Sequence, residues 1–211
     1  MDILNSVSEN LQKGKANAVR ELVREALDKG VSAEKILEEG LISGMDVIGT
    51  KFMNNEIYVP EVMIAARAMN AGMEVLKPVL VSAGVKSKGK AVIGTVKGDL
   101  HDIGKNLVKM MLEGKGIEVI DLGTDVSAER FISAAVENGA RIIACSALLT
   151  TTMPEMKKIV EMLKEKGLRD RFTVMIGGAP VTDVYRQSIG ADIYTPDAGS
   201  AAEAATKVFA E

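Results

Sequence analysis

From residue 91 onward, five short apolar runs alternate with stretches of helical periodicity. This alternation constrains the fold more than any other feature of the chain. The runs are AVIGTV (91–96), IEVIDLG (117–123), RIIACSAL (141–148), FTVMIGG (172–178) and ADIYTP (191–196). Helical patterns lie between and after them, around 103–114, 127–138, 153–166, 181–189 and 198–209. Strands alternating with helices predict a parallel sheet with right-handed crossovers and helices on both faces. Five strands suggest the flavodoxin-like order. In such a sheet a ligand lies beyond the carboxyl ends of the strands, near the point where their order reverses. Those ends read TVKGDLHDIG, DLGTDVS, SALLTTT, GGAP and TPDAGS, all rich in Gly, Ser, Thr and Asp.

Before residue 85 the period is helical throughout. Ile3, Leu4, Val7 and Leu11 mark a short first helix, and Ala18/Val19, Leu22/Val23 and Ala26/Leu27 form the stripe of a second, which stops at Gly30. Ser32 is placed to cap a third helix that buries Leu37, Leu41, Met45, Ile48 and Phe52. A fourth follows Pro60, with Val62, Met63, Ala66, Met69, Met73, Leu76 and Leu80 inward. Four helices with short joins pack as an antiparallel bundle. The expected division is a four-helix cap over 1–84, a linker over 85–90 and a flavodoxin-like, Rossmann-type α/β domain over 91–211. The polar stretch AGVKSKGK (83–90) is a plausible hinge between the two.

Charge and composition narrow the function classes. The formal net charge is −3 and the Lys and Arg residues are spread along the chain, which argues against a nucleic-acid partner. No apolar run reaches the roughly 20 residues of a membrane span, and the N-terminus lacks a secretory pattern. One cysteine, Cys145, cannot form an internal disulfide and is expected in the core. The expectation is a soluble cytoplasmic protein. Twelve Met and 3% aromatic residues imply an aliphatic core with thioethers filling gaps.

The one histidine, His101, lies in GDLHDIG (98–104). Several chemistries compete for it. It could be a surface residue at a helix start. The stretch GDLHDIGKN approaches a phosphate loop, but it has five residues between its glycines, Asn106 after Lys105, and two aspartates that would repel phosphate. A zinc site built by the protein needs three or four ligands, commonly His and Cys, and the chain has one of each. A single histidine suffices where a macrocycle supplies the equatorial ligands, as in haem and corrinoids. Asp99 stands two residues before His101 and can accept the Nδ1 proton, leaving Nε2 for a metal. Gly98 and Gly104 allow the backbone to approach a large planar ligand.

Asp99-x-His101-x-x-Gly104, then Ser146-x-Leu148, then Gly177-Gly178 resembles the cobalamin-binding signature D-x-H-x-x-G … S-x-L … G-G. The spacing fits: 41 residues separate Gly104 from Ser146, and 28 separate Leu148 from Gly177. The N-terminal stretch GMDVIGTKFMNNEIYVPEVMIAARAM (44–69) is similar to the helical cap of methionine synthase and of the small corrinoid proteins of methanol, methylamine and methoxyarene methyltransferase systems.

The resemblance implies a base-off, His-on corrinoid with cobalt held by His101. Asp99 is its hydrogen-bond partner and Thr152 the third member of the relay. Ser146 and Thr150 would line the channel for the nucleotide tail, and Gly177 and Gly178 would let that tail pass close to the backbone. Gly98, Asp102, Ile103, Gly104 and Leu148 are implied as cofactor-facing, and Tyr58 and Val62 as contacts on the upper face. Each site residue has a second reading. Thr152 opens TMPE, a helix-capping sequence with Glu155. Gly177-Gly178 could be a strand-exit turn, Ser146 a hydroxyl bonded to its own backbone, Asp102 a helix N-terminal residue, and Met63, Met69 and Met73 bundle core.

The implied function is carriage of a methyl group on cobalt. The donor side is a substrate-specific methyltransferase. The acceptor side is a second methyltransferase serving tetrahydrofolate or a thiol such as coenzyme M, with a reductive activase as a further partner. The competing readings are a cobalamin-binding sensor and a flavodoxin-like signalling domain in which the histidine is incidental.

Overall fold

The structure, a computed structural model, describes residues 2–83 and 87–210, apart from the side chain of Val81. It divides into two compact units, Met1–Ser87 with Gly114–Gly116, and Lys88–Glu113 with Ile117–Glu211. Of the stretch read as a linker, Val85 and Lys86 lie outside the described residues. Gly89 and Lys90 belong instead to the first strand.

The first unit is helical. α1 (Ile3–Gln12) and α2 (Ala16–Asp28) follow the expected stripes, with Val7, Leu11, Val19 and Val23 fully buried. The third helix departs from expectation. The Ser32 hydroxyl does cap it, accepting from Lys35 N at 3.3 Å. After α3 (Ala33–Lys35), however, the chain runs as a π-helix over Ile36–Ile42 before resuming as α4 (Ser43–Met53). The wider turn shifts the buried face: Ile36 and Ile42 are buried, while Leu37 and Phe52 are only half-buried. Glycines make this packing possible. A Cβ at Gly40 would stand 3.2 Å from Val7 Cγ1, and one at Gly44 the same distance from Leu11 Cδ2.

α5 (Val59–Ser82) buries Val62, Ala65, Ala66, Met69 and Leu76, but Met63 faces solvent rather than the core.

The second unit is a five-stranded parallel sheet: β1 (Gly89–Thr95), β2 (Ile117–Asp121), β3 (Ile142–Ser146), β4 (Thr173–Gly177) and β5 (Ile193–Tyr194). The order is β2-β1-β3-β4-β5, the flavodoxin-like order that the alternation predicts. Between and after the strands run α6 (Ile103–Gly114), α7 (Ala128–Asn138), α8 (Pro154–Glu165), α9 (Asp183–Ile189) and α10 (Ala198–Ala210).

Alternate residues feed the two faces. Val92, Ile143, Cys145, Val174 and Ile176 pack with Phe131, Ile132, Ile159 and Leu163 of α7 and α8. Ala91, Ile93, Ile142, Ala144 and Met175 fill the other face, also buried. The order reverses between β1 and β3. Right-handed crossovers therefore send α6 to one face and α7 to α9 to the other, opening a crevice at the strand ends. The register sets Thr95 beside Ser146, and Ser146 beside Gly177, on that rim.

Candidate functional site

The loop after β1 turns at Gly98, which has φ +82°. Asp99 then folds under the loop, fully buried, and its carboxylate gathers five donors. Oδ1 accepts from His101 N at 3.1 Å and lies 2.7 Å from His101 Nδ1. Oδ2 accepts from Leu148 N at 2.8 Å, Leu149 N at 3.2 Å and the Thr152 hydroxyl at 2.8 Å. An aspartate that binds the amide two residues on forms a local turn, which is why the i, i+2 spacing works here.

Burial alone would raise the Asp99 pKa, but the bonds from His101, Leu148 and Thr152 outweigh it and hold the carboxyl well below the usual range. An ionised carboxylate only accepts, so the proton between Asp99 and His101 sits on Nδ1. In the neutral ring this leaves Nε2 with its lone pair. The imidazole is about half exposed, and Nε2 has no partner among the described residues.

Thr152 contributes to this network rather than capping α8. One hydroxyl proton faces two acceptors, Asp99 Oδ2 at 2.8 Å and Leu149 O at 2.9 Å, and the charged oxygen is the stronger. The N-cap of α8 is Met153, which makes no side-chain cap bond; Pro154 begins the helix. Asp102 lies outside the network. It is exposed at the start of α6 and its Oδ2 accepts from Asn106 Nδ2 at 3.0 Å.

The phosphate-loop reading fails on Lys105. Its buried ammonium is committed to Asp121 at 2.5 Å, and Lys109 adds a second bond to the same carboxylate at 3.3 Å. Cys145 is buried as expected, and burial pushes its thiol pKa up.

Around the histidine the surface is apolar and open. Leu100 and Ile103 are 74% and 77% exposed, and Leu148 and Leu149 are each 42% exposed. A Cβ at Gly104 or Gly177 would meet nothing within 4 Å. Thr150 is exposed and Ser146 half-buried on the same rim. Gly178 differs. At φ +133°, a Cβ there would strike the Ala147 carbonyl, so its missing side chain answers to the exit of β3. In the helical unit Tyr58 is 68% exposed, whereas Val62 is fully buried. The expectation that Val62 meets a cofactor is therefore corrected: its side chain is core.

Sequence reasoning missed Leu149, Leu100 and Asp125, and for Leu148 it missed the role of the amide. The Leu148 and Leu149 amides act through backbone and leave no residue-type signal. Leu100 is an apolar residue within GDLHDIG whose exposure only the fold reveals. Asp125, a non-glycine residue at φ +55°, accepts from Gly98 N at 2.7 Å through Oδ1 and donates its own N–H to Asp99 O at 3.0 Å. The motif DLGTDVS places it at a strand end, but the pairing with Gly98 spans two loops.

Two families describe these units. Residues 89–206 match the B12 binding domain, and residues 3–77 match a second family of the same description. The chain is 42% identical over 212 residues to a corrinoid protein of Desulfitobacterium hafniense (strain Y51), covering 99% of this chain and 98% of that one. This chain belongs to the corrinoid protein family. Trimethylamine corrinoid protein 1 of Methanosarcina acetivorans is 46% identical over 176 residues, 82% of each chain. The crystal structure of the methanol:cobalamin methyltransferase complex from Methanosarcina barkeri contains a chain similar at TM-score 0.89 and 30% identity, over 99% of this chain and 80% of that one. As a member, this corrinoid protein is a cobalamin-binding methyl carrier of a methyltransferase system. No described helix is long and apolar enough to cross a membrane.

Proposed function

We propose that this corrinoid protein holds its cofactor base-off with His101 as the lower axial ligand. It would take a methyl group from a substrate-specific methyltransferase and pass it to a second one serving tetrahydrofolate or a thiol such as coenzyme M. The observation that carries the reading is the 2.7 Å contact of His101 Nδ1 with a buried, ionised Asp99, which fixes the ring and leaves Nε2 outward. The residues fit such a group. No three His, Cys, Asp or Glu side chains among the described residues gather to hold a metal ion, and a macrocycle that brings its own equatorial ligands would need only His101 from the protein. The open glycines and the exposed leucines suit a large apolar ring.

Cobalt in the bound corrinoid supplies the chemistry of accepting and releasing a methyl group. The chain's own residues hold and orient. His101 offers one nitrogen, Asp99 keeps the proton on the other, and Thr152 with the Leu148 and Leu149 amides keeps Asp99 charged. Gly98, Ile103, Gly104 and Leu148 would face the ring, and Ser146, Thr150, Gly177 and Gly178 would line the path of the nucleotide tail. The names of similar proteins support methylamines or methanol as methyl sources, and a reductive activase would complete the partner set.

Electron paramagnetic resonance of the cob(II)alamin-loaded protein, labelled with ¹⁵N-histidine so that its coupling differs from that of the cofactor's own base, tests the ligand assignment. The native spectrum should show one axial nitrogen, and His101→Ala should lose it. An unchanged nitrogen coupling in His101→Ala would overturn the assignment.

A further inference from the structure

We infer that Thr95 is a positioning residue for His101, fixing the carbonyl side of the histidine as Asp99 fixes its amide and ring. The inference rests on the axial-ligand reading above.

Thr95 is the last residue of β1 and is fully buried. Its backbone is immobilised on the β2 side. Thr95 N donates to Gly123 O at 2.9 Å, and Thr95 O accepts from Val126 N at 2.9 Å. On the β3 side the strand register sets it beside Ser146, and Val96 N donates to Ser146 O at 3.0 Å. From this fixed point the Thr95 hydroxyl donates to His101 O at 2.8 Å. The loop that leaves β1 is thereby closed back onto β1.

His101 has three attachments: its N–H and its Nδ1 to Asp99 Oδ1, and its carbonyl to Thr95 Oγ1. The first two trace through Asp99 Oδ2 to the β3 exit, and the third traces to β1. With Asp99 alone, the peptide after His101 could rotate about ψ and carry the start of α6 with it. With Thr95 in place, both peptide planes flanking the Cα are pinned from different strands. The ring direction is then set before any ligand binds, which is what an axial ligand on a preformed macrocycle requires.

The alternative is that Thr95 only satisfies a buried carbonyl. That role would affect stability but not the state of the ring. Because His101 is the one histidine in the chain, its imidazole ¹⁵N signals are unambiguous in cofactor-free protein. The test compares Thr95→Val and Thr95→Ala, which lack the hydroxyl, with Thr95→Ser, which keeps it.

The native protein and Thr95→Ser should show a single ring state with the proton on Nδ1 when neutral, and full axial nitrogen coupling to cob(II)alamin. Thr95→Val and Thr95→Ala should show mixed tautomers, lose at least about half of that coupling, and bind cobalamin about tenfold more weakly. If Thr95→Val does not fold, Thr95→Ala carries the test. A folded Thr95→Ala with one ring state and undiminished coupling overturns the inference. His101→Ala separates the two failures. In ¹⁵N-histidine-labelled protein, axial coupling unchanged there defeats the ligand reading itself, whereas ¹⁵N coupling lost in His101→Ala but kept in Thr95→Ala defeats only the role of Thr95.

Discussion

In the helical unit, helices approach until added methyl groups would touch their neighbours. A Cβ at Gly72 would stand 2.8 Å from Leu41 Cδ2, and Gly40 and Gly44 are similarly close to α1. One of its long-range ion pairs, Arg20 with Glu74 at 2.7 Å, lies on the surface. At the strand ends of the sheet unit, Gly104 and Gly177 border open space instead, and a buried carboxylate with five donors sets the shape. One region is specified by volume and the other by hydrogen-bond count. They should therefore fail under different perturbations.

Leu41→Ala should produce the largest loss of stability. The side chain is fully buried against Gly72, and removing it costs about 3 kcal/mol by chemical denaturation. The His101 ring signals of the still-folded fraction should be unchanged, because the loss is one of packing in the other unit.

Asp99→Asn should cost about 2 kcal/mol at neutral pH, since an amide offers one acceptor oxygen and sets N–H against N–H. Its effect should also depend on pH. The folded Asp99 carboxyl lies below its ordinary value near 3.8, so its contribution is present above that value and is lost as pH falls through the lower, folded one. The gap between wild type and Asp99→Asn should be constant above about pH 5 and narrow in stronger acid. Denaturation at stepped pH measures this, and a gap that widened in acid would refute it.

The smallest effect is expected at Met63→Ser. This half-exposed residue of α5 should change stability by no more than about 0.5 kcal/mol. A larger loss would show that the helical unit depends on its outer apolar residues as well as its core.

The two regions were also unequally legible. The sheet order, its crossovers and the loop that carries His101 follow from alternation and motif spacing, because a period of two beside one of 3.6 leaves few topologies. The pairing of Asp99 with His101 follows from local geometry, two residues apart. The helical unit shows its stripes but hides the π-helix over Ile36–Ile42. Gly40 within that segment and Gly44 just after it lie in close contact with α1, a tertiary feature that no local period encodes. Met63, expected inward, faces solvent for a related reason: adjacent apolar residues on a helix compete for one stripe, and Val62, inward as expected, occupies it and so cannot also meet a cofactor. In the site, the side chains within the motifs are visible in the sequence, whereas backbone donors and side chains that bridge separate loops are not. Leu148 and Leu149 entered through their amides, and Thr95 and Asp125 through bonds that join separate loops.

Gly178 gives the network a dependence on a residue that bonds to neither His101 nor Asp99. The Ala147 carbonyl that a methyl at 178 would strike belongs to the same rigid peptide plane as the Leu148 N–H that holds Asp99. Pushing one edge of that plane tilts the other. The histidine's partner is thus governed by a lever whose resting angle is set from β4, and the absence of a single carbon atom there keeps the lever level.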